Sequence, residues 1–259
     1  MKSRLLFVAV LVLSLPLCFA QTSPVNFTFS SDETPLYDFT GEFQVEDVLQ
    51  GGAGDVPLAF GITITDDGRG RLRGSDVLGA DLTFLTIGND TVAANYVVTG
   101  RVGGGVNATR VTLTVRLFGE DTIGGVSTKF NLVIRYDLQV MGGVLQGKSR
   151  GSAKFAKLGS ARILNPAVSL ALPAGMDGSW SLQMNIVPLS KLAGSGSIVL
   201  SNGRVLASSL SGRFSSGRFT VKLTGIDDNG GGRLNLVFFE GAGSPEIFIG
   251  RILGQTIRK

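Results

Sequence analysis

The chain has no histidine, one cysteine, one tryptophan and three tyrosines in 259 residues. Without histidine there is no Ser-His-Asp or Cys-His relay. With Cys18 as the sole thiol, the usual nitrogen and sulfur ligands of zinc, copper and non-haem iron are missing as well. A Ser-Lys mechanism needs a Ser-x-x-Lys spacing that does not occur. Ser190 and Lys191 are neighbours, and neighbours on a strand point to opposite faces. No catalytic residue, no metal ligand and no cofactor site is therefore assigned.

Charge is also scarce. Charged residues make up 17% of the chain, against about a quarter in an ordinary globular protein. The formal net charge is +4, with no basic run of the kind that follows a phosphate backbone, so nucleic acid is not an expected partner. The shortage of Trp and Tyr bears on outer-membrane barrels, which carry aromatic girdles. The chain ends Thr256-Ile257-Arg258-Lys259, without a terminal aromatic, and is not read as such a barrel.

Residues 1–20 read as a secretory signal peptide. Lys2 and Arg4 form a basic start, residues 5–17 an apolar stretch, and Cys18-Phe19-Ala20 places small residues where a signal peptidase reads them. Cleavage is expected before Gln21. Leu17, preceded by Pro16, stands where a lipoprotein signal carries a small residue, so release is preferred to lipid anchoring at Cys18. The leader takes the only cysteine with it, so the remaining chain forms no disulfide. For an exported protein that favours a bacterial source. Beyond residue 20 no apolar stretch reaches membrane length; the longest, 163–172, is interrupted by Asn165-Pro166. The expected location is secreted or periplasmic.

What the chain has in abundance is glycine, 37 residues, about twice the ordinary share. The glycines fall between short alternating runs, as turns punctuate antiparallel strands. Val111, Leu113, Val115 and Leu117 share one face, with Thr112, Thr114 and Arg116 opposite. Phe130, Leu132, Ile134 and Tyr136 repeat the pattern, as do Phe219, Val221 and Leu223. Each run implies one buried and one wet face. Asn202-Gly203 is the strongest two-residue hairpin signal. No helical periodicity of useful length appears, so the expected class is all-β, in antiparallel meanders.

Five segments recur in the same order. Gly41-Glu42-Phe43-Gln44-Val45 answers to Gly178-Ser179-Trp180-Ser181-Leu182, and Val56-Pro57-Leu58 to Val187-Pro188-Leu189. Thr99-Gly100-Arg101-Val102 answers to Ser211-Gly212-Arg213-Phe214, and Lys129-Phe130-Asn131-Leu132-Val133 to Arg233-Leu234-Asn235-Leu236-Val237. Residues 143–148 compare loosely with 251–255. This predicts an N-terminal extension over 21–35, repeat one over 36–162, a linker over 163–175 with Pro166 and Pro173, and repeat two over 176–259. Repeat one carries extra material near 74–95. Each repeat offers about six strands, and the two form tandem related lobes, small barrels or sandwiches, packed together. Val237-Phe238-Phe239 and Ile247-Phe248-Ile249 suggest burial on both faces.

The remaining polar clusters read first as structure. Asp66-Asp67-Gly68 and Asp227-Asp228-Asn229-Gly230 are turn sequences; as calcium loops they lack the Asp-x-Asp-x-Asp spacing and a distal Glu. Arg71, Arg73, Arg101, Arg116 and Arg135 sit on strands, with Arg116 and Arg135 on the wet faces of neighbours. They read as a solvated face, with an anion or acidic-glycan surface as the alternative. Asn26, Asn89 and Asn107 head Asn-x-Ser/Thr triplets, which matter only in a eukaryotic secretory pathway. Gly68-Arg69-Gly70 and Gly194-Ser195-Gly196 precede no helix, so they cradle no phosphate.

Gly178-Ser179-Trp180 resembles the Gly-x-Trp that opens the first strand of lipocalin-type barrels. The resemblance covers three residues and implies one eight-stranded barrel, where the repeats suggest six strands each; repeat one has Phe43 in place of the tryptophan. The expected function is that of an exported, non-catalytic structural or binding module with no assigned partner. The alternative is a carrier of a hydrophobic small molecule or lipid inside a barrel or between lobes, motivated by sixteen phenylalanines. Glycan binding is a third possibility.

Overall fold

Alternation at a period of two can be satisfied only by a sheet that hides one face, and the chain does this with strands alone. A computed structural model describes residues 25–29, 37–51, 54–67, 69–75, 82–105, 108–172, 179–187, 191–199, 205–215, 218–225, 231–237, 247–252 and 254–258. The strands are β1 (Val25–Phe29), β2 (Gly41–Gly51), β3 (Gly54–Asp66), β4 (Arg71–Ser75), β5 (Thr83–Ile87), β6 (Asp90–Gly105), β7 (Ala108–Ile123), β8 (Val126–Met141), β9 (Val144–Phe155) and β10 (Gly159–Ala171). They continue as β11 (Ser179–Val187), β12 (Lys191–Val199), β13 (Val205–Ser215), β14 (Arg218–Gly225), β15 (Gly231–Val237), β16 (Ile247–Ile252) and β17 (Gln255–Arg258). Among the described residues there is no helix, and the fold is all-β and antiparallel.

Strands β2–β10 close on themselves. β2 pairs with β3, β6 with β7, and each strand to β10 with the next; β10 then pairs back with β2 through Arg162–Gln50 and Ile163–Leu49. Between β3 and β6 lie β4 and β5, end to end. β4 meets Thr65 and Asp66 of β3, while β5 meets 58–60, and both pair with β6. They form one broken strand, so the ring has eight stations. Nine strands thus fill eight stations, where about six strands were expected. The difference arises because the extra material near 74–95 contributes short strand pieces that share a single place in the wall.

Eight strands enclose a space just wide enough for side chains to fill or for one small ligand. Here the side chains fill it. Phe43, Val45 and Leu49 of β2, Leu58, Phe60, Ile62 and Ile64 of β3, the 111–117 run of β7 and the 130–138 run of β8 all point inward and are buried in one cluster. Each large side chain so buried contributes about 2 kcal/mol against exposure. β9 lines the same space with small residues at alternate positions, Gly147, Ser149, Gly151 and Ala153. A Cβ at Gly147 would lie 2.0 Å from the Asp137 carbonyl oxygen, and one at Gly151 2.2 Å from that of Val133. The bare backbone lets β8 and β9 coil tightly enough to close the ring.

The segment read as a linker over 163–175 is, as far as residue 171, strand β10. Asn165-Pro166 does not end the strand because a bulge absorbs it: the register against β9 shifts between Asn165 and Val168. Proline has no N–H to give a ladder and is tolerated at such a bulge. The cost falls on the other side of the strand, where β2 and β10 pair only at the two positions named above.

The second sheet runs β1-β11-β12-β13-β14-β15-β16-β17. β1, from the stretch read as an N-terminal extension, pairs antiparallel with β11, Phe29 opposite Trp180. The turn at Asn202-Gly203 lies outside the described residues, as do Asp227-Asp228-Asn229-Gly230 and Phe238-Phe239; the ladder beside Asn202-Gly203 closes to Val199 opposite Val205. β17 returns to the barrel: Gln255 is buried and bonds the backbone of Tyr37, and the Thr256 hydroxyl donates to the Gly104 carbonyl at 3.0 Å.

Candidate functional site

Inward residues of β6–β10 form the core, so the alternate positions form the outer wall, and that wall is basic. Arg101, Arg110, Arg116, Arg135, Lys148, Arg150 and Arg162 all point out and are exposed. Register brings them together. Arg135 of β8 stands directly opposite Arg150 of β9, and Arg150 faces Leu164 of β10. One step along, Lys148 faces Asp137; one step the other way, Arg162 faces Ser152.

Like charges directly opposite on paired strands repel, so the partners of each arginine matter. Arg71, opposite Arg101, is held by Asp67, Nε to Oδ2 at 2.5 Å. Arg116 donates from Nε to Asn131 Oδ1 at 2.7 Å and lies 5.1 Å from the Phe118 ring centroid, a cation–π distance. These two have structural work. The side chains of Arg110, Arg135, Lys148, Arg150 and Arg162 make no hydrogen bond or ion pair; the other ion pair among the described residues is Lys129 with Glu120 at 3.6 Å.

The unpaired cations line connected hollows. One of about 490 Å³ is bounded by Thr112, Thr114, Arg135, Asp137, Lys148, Arg150, Leu164 and Pro166. A second, of about 480 Å³, shares Arg135, Arg150 and Leu164 and extends to Val133, Ser152 and Arg162. A third, of about 300 Å³, shares Asp137, Lys148 and Pro166 and reaches Arg110. Four rows of outward residues are spanned, about 20 Å along the strands. Asp137 is the one carboxylate in the groove. Its edge is raised by the β10 bulge, where Leu164 is 54% exposed.

A different arrangement lies inside. Asp47 of β2 falls on the apolar phase of its strand and is buried. Its carboxylate accepts from the Ser149 hydroxyl at 2.9 Å, the Tyr136 hydroxyl at 3.1 Å and the Val48 N–H at 2.9 Å. Burial pushes the Tyr136 phenol well above its ordinary value, and the charge and hydrogen bond of Asp47 push the same way. The cluster sits where β2 and β10 stop pairing, and a side hollow of about 480 Å³ opens there between Glu46–Val48 and Asn165–Ser169. The carboxylate takes over an N–H at the point where the ladder ends, which makes Asp47 a lock on the barrel seam. Ser149 and Tyr136 both donate their hydroxyl protons to this one carboxylate.

Of the residues singled out from sequence, Asp67 is a turn residue. Its Oδ1 accepts from the N–H groups of Arg69 and Arg71 at 2.9 and 3.0 Å. Desolvation raises its pKa, but these bonds and the Arg71 side chain outweigh it, and the net shift is downward. Asp66 is buried, its N–H bonded to Thr40 Oγ1 at 3.0 Å. Arg73 lies opposite Thr99 and Arg116 opposite Val133, so the structure gathers Arg116 and Arg135 on one wall but does not pair them. Asn26 is in β1, Asn89 in a turn, Lys191 at the start of β12 and Gly194–Gly196 within it; Ser190 and Asn107 lie outside the described residues.

Sequence reading missed Lys148, Arg150, Arg110 and Arg162, which complete the wall, and Asp47. The signal for the first two was present: cations at alternate positions within the glycine- and serine-rich stretch 147–152. For Asp47 it was a carboxylate in phase with Phe43, Val45 and Leu49. No family model, no curated protein and no solved structure matches the chain.

Proposed function

We propose that the chain is an exported, non-catalytic binding module that holds an anionic polymer on the outer wall of its first barrel. The observation that carries this is the run of unpaired cations over β7–β10, with Arg135 and Arg150 facing each other and no acid between them. A fold gains nothing from opposed, unpartnered guanidiniums, whereas an anion bound between them would turn the repulsion into attraction. Export rests on the leader read over residues 1–20. The non-catalytic part rests on the lack of histidine and on hydroxyls committed to Asp47.

The carrier reading needs internal room. The interior of the first barrel is packed with side chains, and the hollows described above open on the outside of its wall. A doubled architecture is part of the same proposal. Arg101 faces Thr112 and Gly100 faces Leu113 in β6–β7, and Arg213 faces Thr220 and Gly212 faces Val221 in β13–β14, which supports a common plan for the two sheets.

The test is retention of the purified protein, residues 21–259, on dextran sulfate against neutral dextran at low ionic strength, with a broad hydrolase screen in parallel. Retention on the sulfated resin alone, without turnover, is the predicted result. Equal passage through both resins, or turnover abolished by one acidic substitution, overturns the proposal.

A further inference from the structure

We infer that the groove over β8–β10 is a subsite for a carboxylate-bearing sugar, with Arg135 and Arg150 gripping the carboxylate and Leu164 and Pro166 carrying the ring. This rests on the binding wall proposed above and names its ligand class.

The argument starts from the two guanidiniums. They project from directly opposed positions on neighbouring strands, whose backbones run about 4.8 Å apart. Both are exposed and neither is engaged by another side chain. A guanidinium presents paired N–H groups in a planar fork that matches the two oxygens of a carboxylate. Two such forks across one strand gap define a place for one planar anion.

The surroundings separate a sugar acid from a bare inorganic anion. Leu164 faces Arg150 across β9–β10 and is 54% exposed. With Pro166 beside it along the groove and Val133 beyond, it makes an apolar shelf next to the charge. Phosphate or sulfate gains nothing from such a shelf, whereas a pyranose ring has an apolar C–H face to lay on it. Thr112, Thr114 and Ser152 add hydroxyl donors and acceptors along the floor. Asp137 adds an acceptor for sugar hydroxyls beside the cations. At about 20 Å the groove takes several sugar units.

The experiment is calorimetric titration of residues 21–259 with trigalacturonate, its methyl ester and tripolyphosphate. Trigalacturonate is predicted to bind and its uncharged ester not to. Replacing Arg135 and Arg150 together by Gln lowers trigalacturonate affinity about tenfold or more. Leu164→Ser weakens trigalacturonate and leaves tripolyphosphate unchanged. All three positions are exposed, and unchanged melting temperatures exclude unfolding as the cause. Arg150→Lys keeps the charge and loses one fork; it should retain dextran sulfate and weaken trigalacturonate, by less than the double replacement does. Tripolyphosphate binding as tightly as trigalacturonate, indifference to Leu164→Ser, or binding of the methyl ester each overturns the subsite. Retention on dextran sulfate with no trigalacturonate binding rejects the subsite and leaves the wall; failure of both rejects both.

Discussion

The side-chain amide of Gln255 brackets the backbone of Tyr37: its oxygen accepts from the Tyr37 N–H at 2.9 Å and its nitrogen donates to the Tyr37 carbonyl at 2.6 Å, across 218 positions of chain. A buried amide thus does for one residue what a neighbouring strand does for many, and it fastens β17 to the segment that leads into β2. Next to it, Gly254 touches Gly70 so closely that a Cβ on Gly254 would lie 2.6 Å from the Gly70 Cα; both have positive φ, 73° and 78°.

Gln255→Ala removes two hydrogen bonds to the half-buried backbone of Tyr37, and should cost about 1–2 kcal/mol. Gly254→Ala adds backbone strain to a collision and should cost at least as much. Chemical denaturation of each variant checks both. Full stability of Gln255→Ala would mean that β17 does not hold the barrel shut.

The seam lock gives a second prediction. Asp47→Ala strands the Tyr136 and Ser149 hydroxyls inside the barrel and should cost about 3 kcal/mol. Asp47→Asn keeps the shape and an acceptor, and should cost clearly less. Hydrogen exchange should show the β2–β10 edge opening first in Asp47→Ala, because that edge has only two ladder pairs to fall back on.

Tyr136 makes stability depend on alkali. Its folded-state pKa is raised, so the native protein holds a proton that the unfolded chain releases near pH 10. The resulting stabilisation is complete below that value and disappears as pH climbs through the folded value. Tyr136→Phe should lower stability at neutral pH, by about 1 kcal/mol, and flatten its decline above pH 10. Asp67 behaves in the opposite sense: with its pKa lowered, its contribution is present above the ordinary carboxylate range and fades as pH falls through the folded value. Its site is open to water, so the acid effect is the smaller one.

Closure of the barrel depends on the bare backbone of β9. Gly151→Ala puts a methyl 2.2 Å from the Val133 carbonyl, and the neighbour is backbone that cannot step aside. About 3 kcal/mol or outright failure to fold is expected, read from the melting temperature. Gly143→Ala makes a useful contrast. Its added methyl meets nothing within 4 Å, but φ is 81°, so strain alone acts and the loss should be about 1 kcal/mol.

Much of this architecture was legible before any coordinates. Alternation in 111–117 and 130–136 gave the buried and wet faces correctly, because two-residue periodicity is a direct image of a half-buried strand. Strand number was not legible. Arg71–Ser75 and Thr83–Ile87 are five residues each, too short to show that together they fill one station. Asn165-Pro166 looks like punctuation, and only the register on β9 reveals it as a bulge inside β10. Arg116 and Arg135 could be placed on a wet face from sequence, but not their true neighbours, since which cation opposes which depends on register. Lys148 and Arg150 alternate with small residues only, so their spacing could place them on one face but could not say which strand lies opposite.

The most direct test of the whole account is the affinity of residues 21–259 for dextran sulfate, measured by calorimetry from low to physiological salt, beside a variant with Lys148, Arg150 and Arg162 changed to Gln. Binding should weaken steadily as salt rises, since each neutralised anion releases a counterion, and the variant should bind less and respond to salt with a shallower slope. Binding that ignores salt, or a variant that matches the wild type at every concentration, would contradict the assignment of this wall as the working surface of the protein.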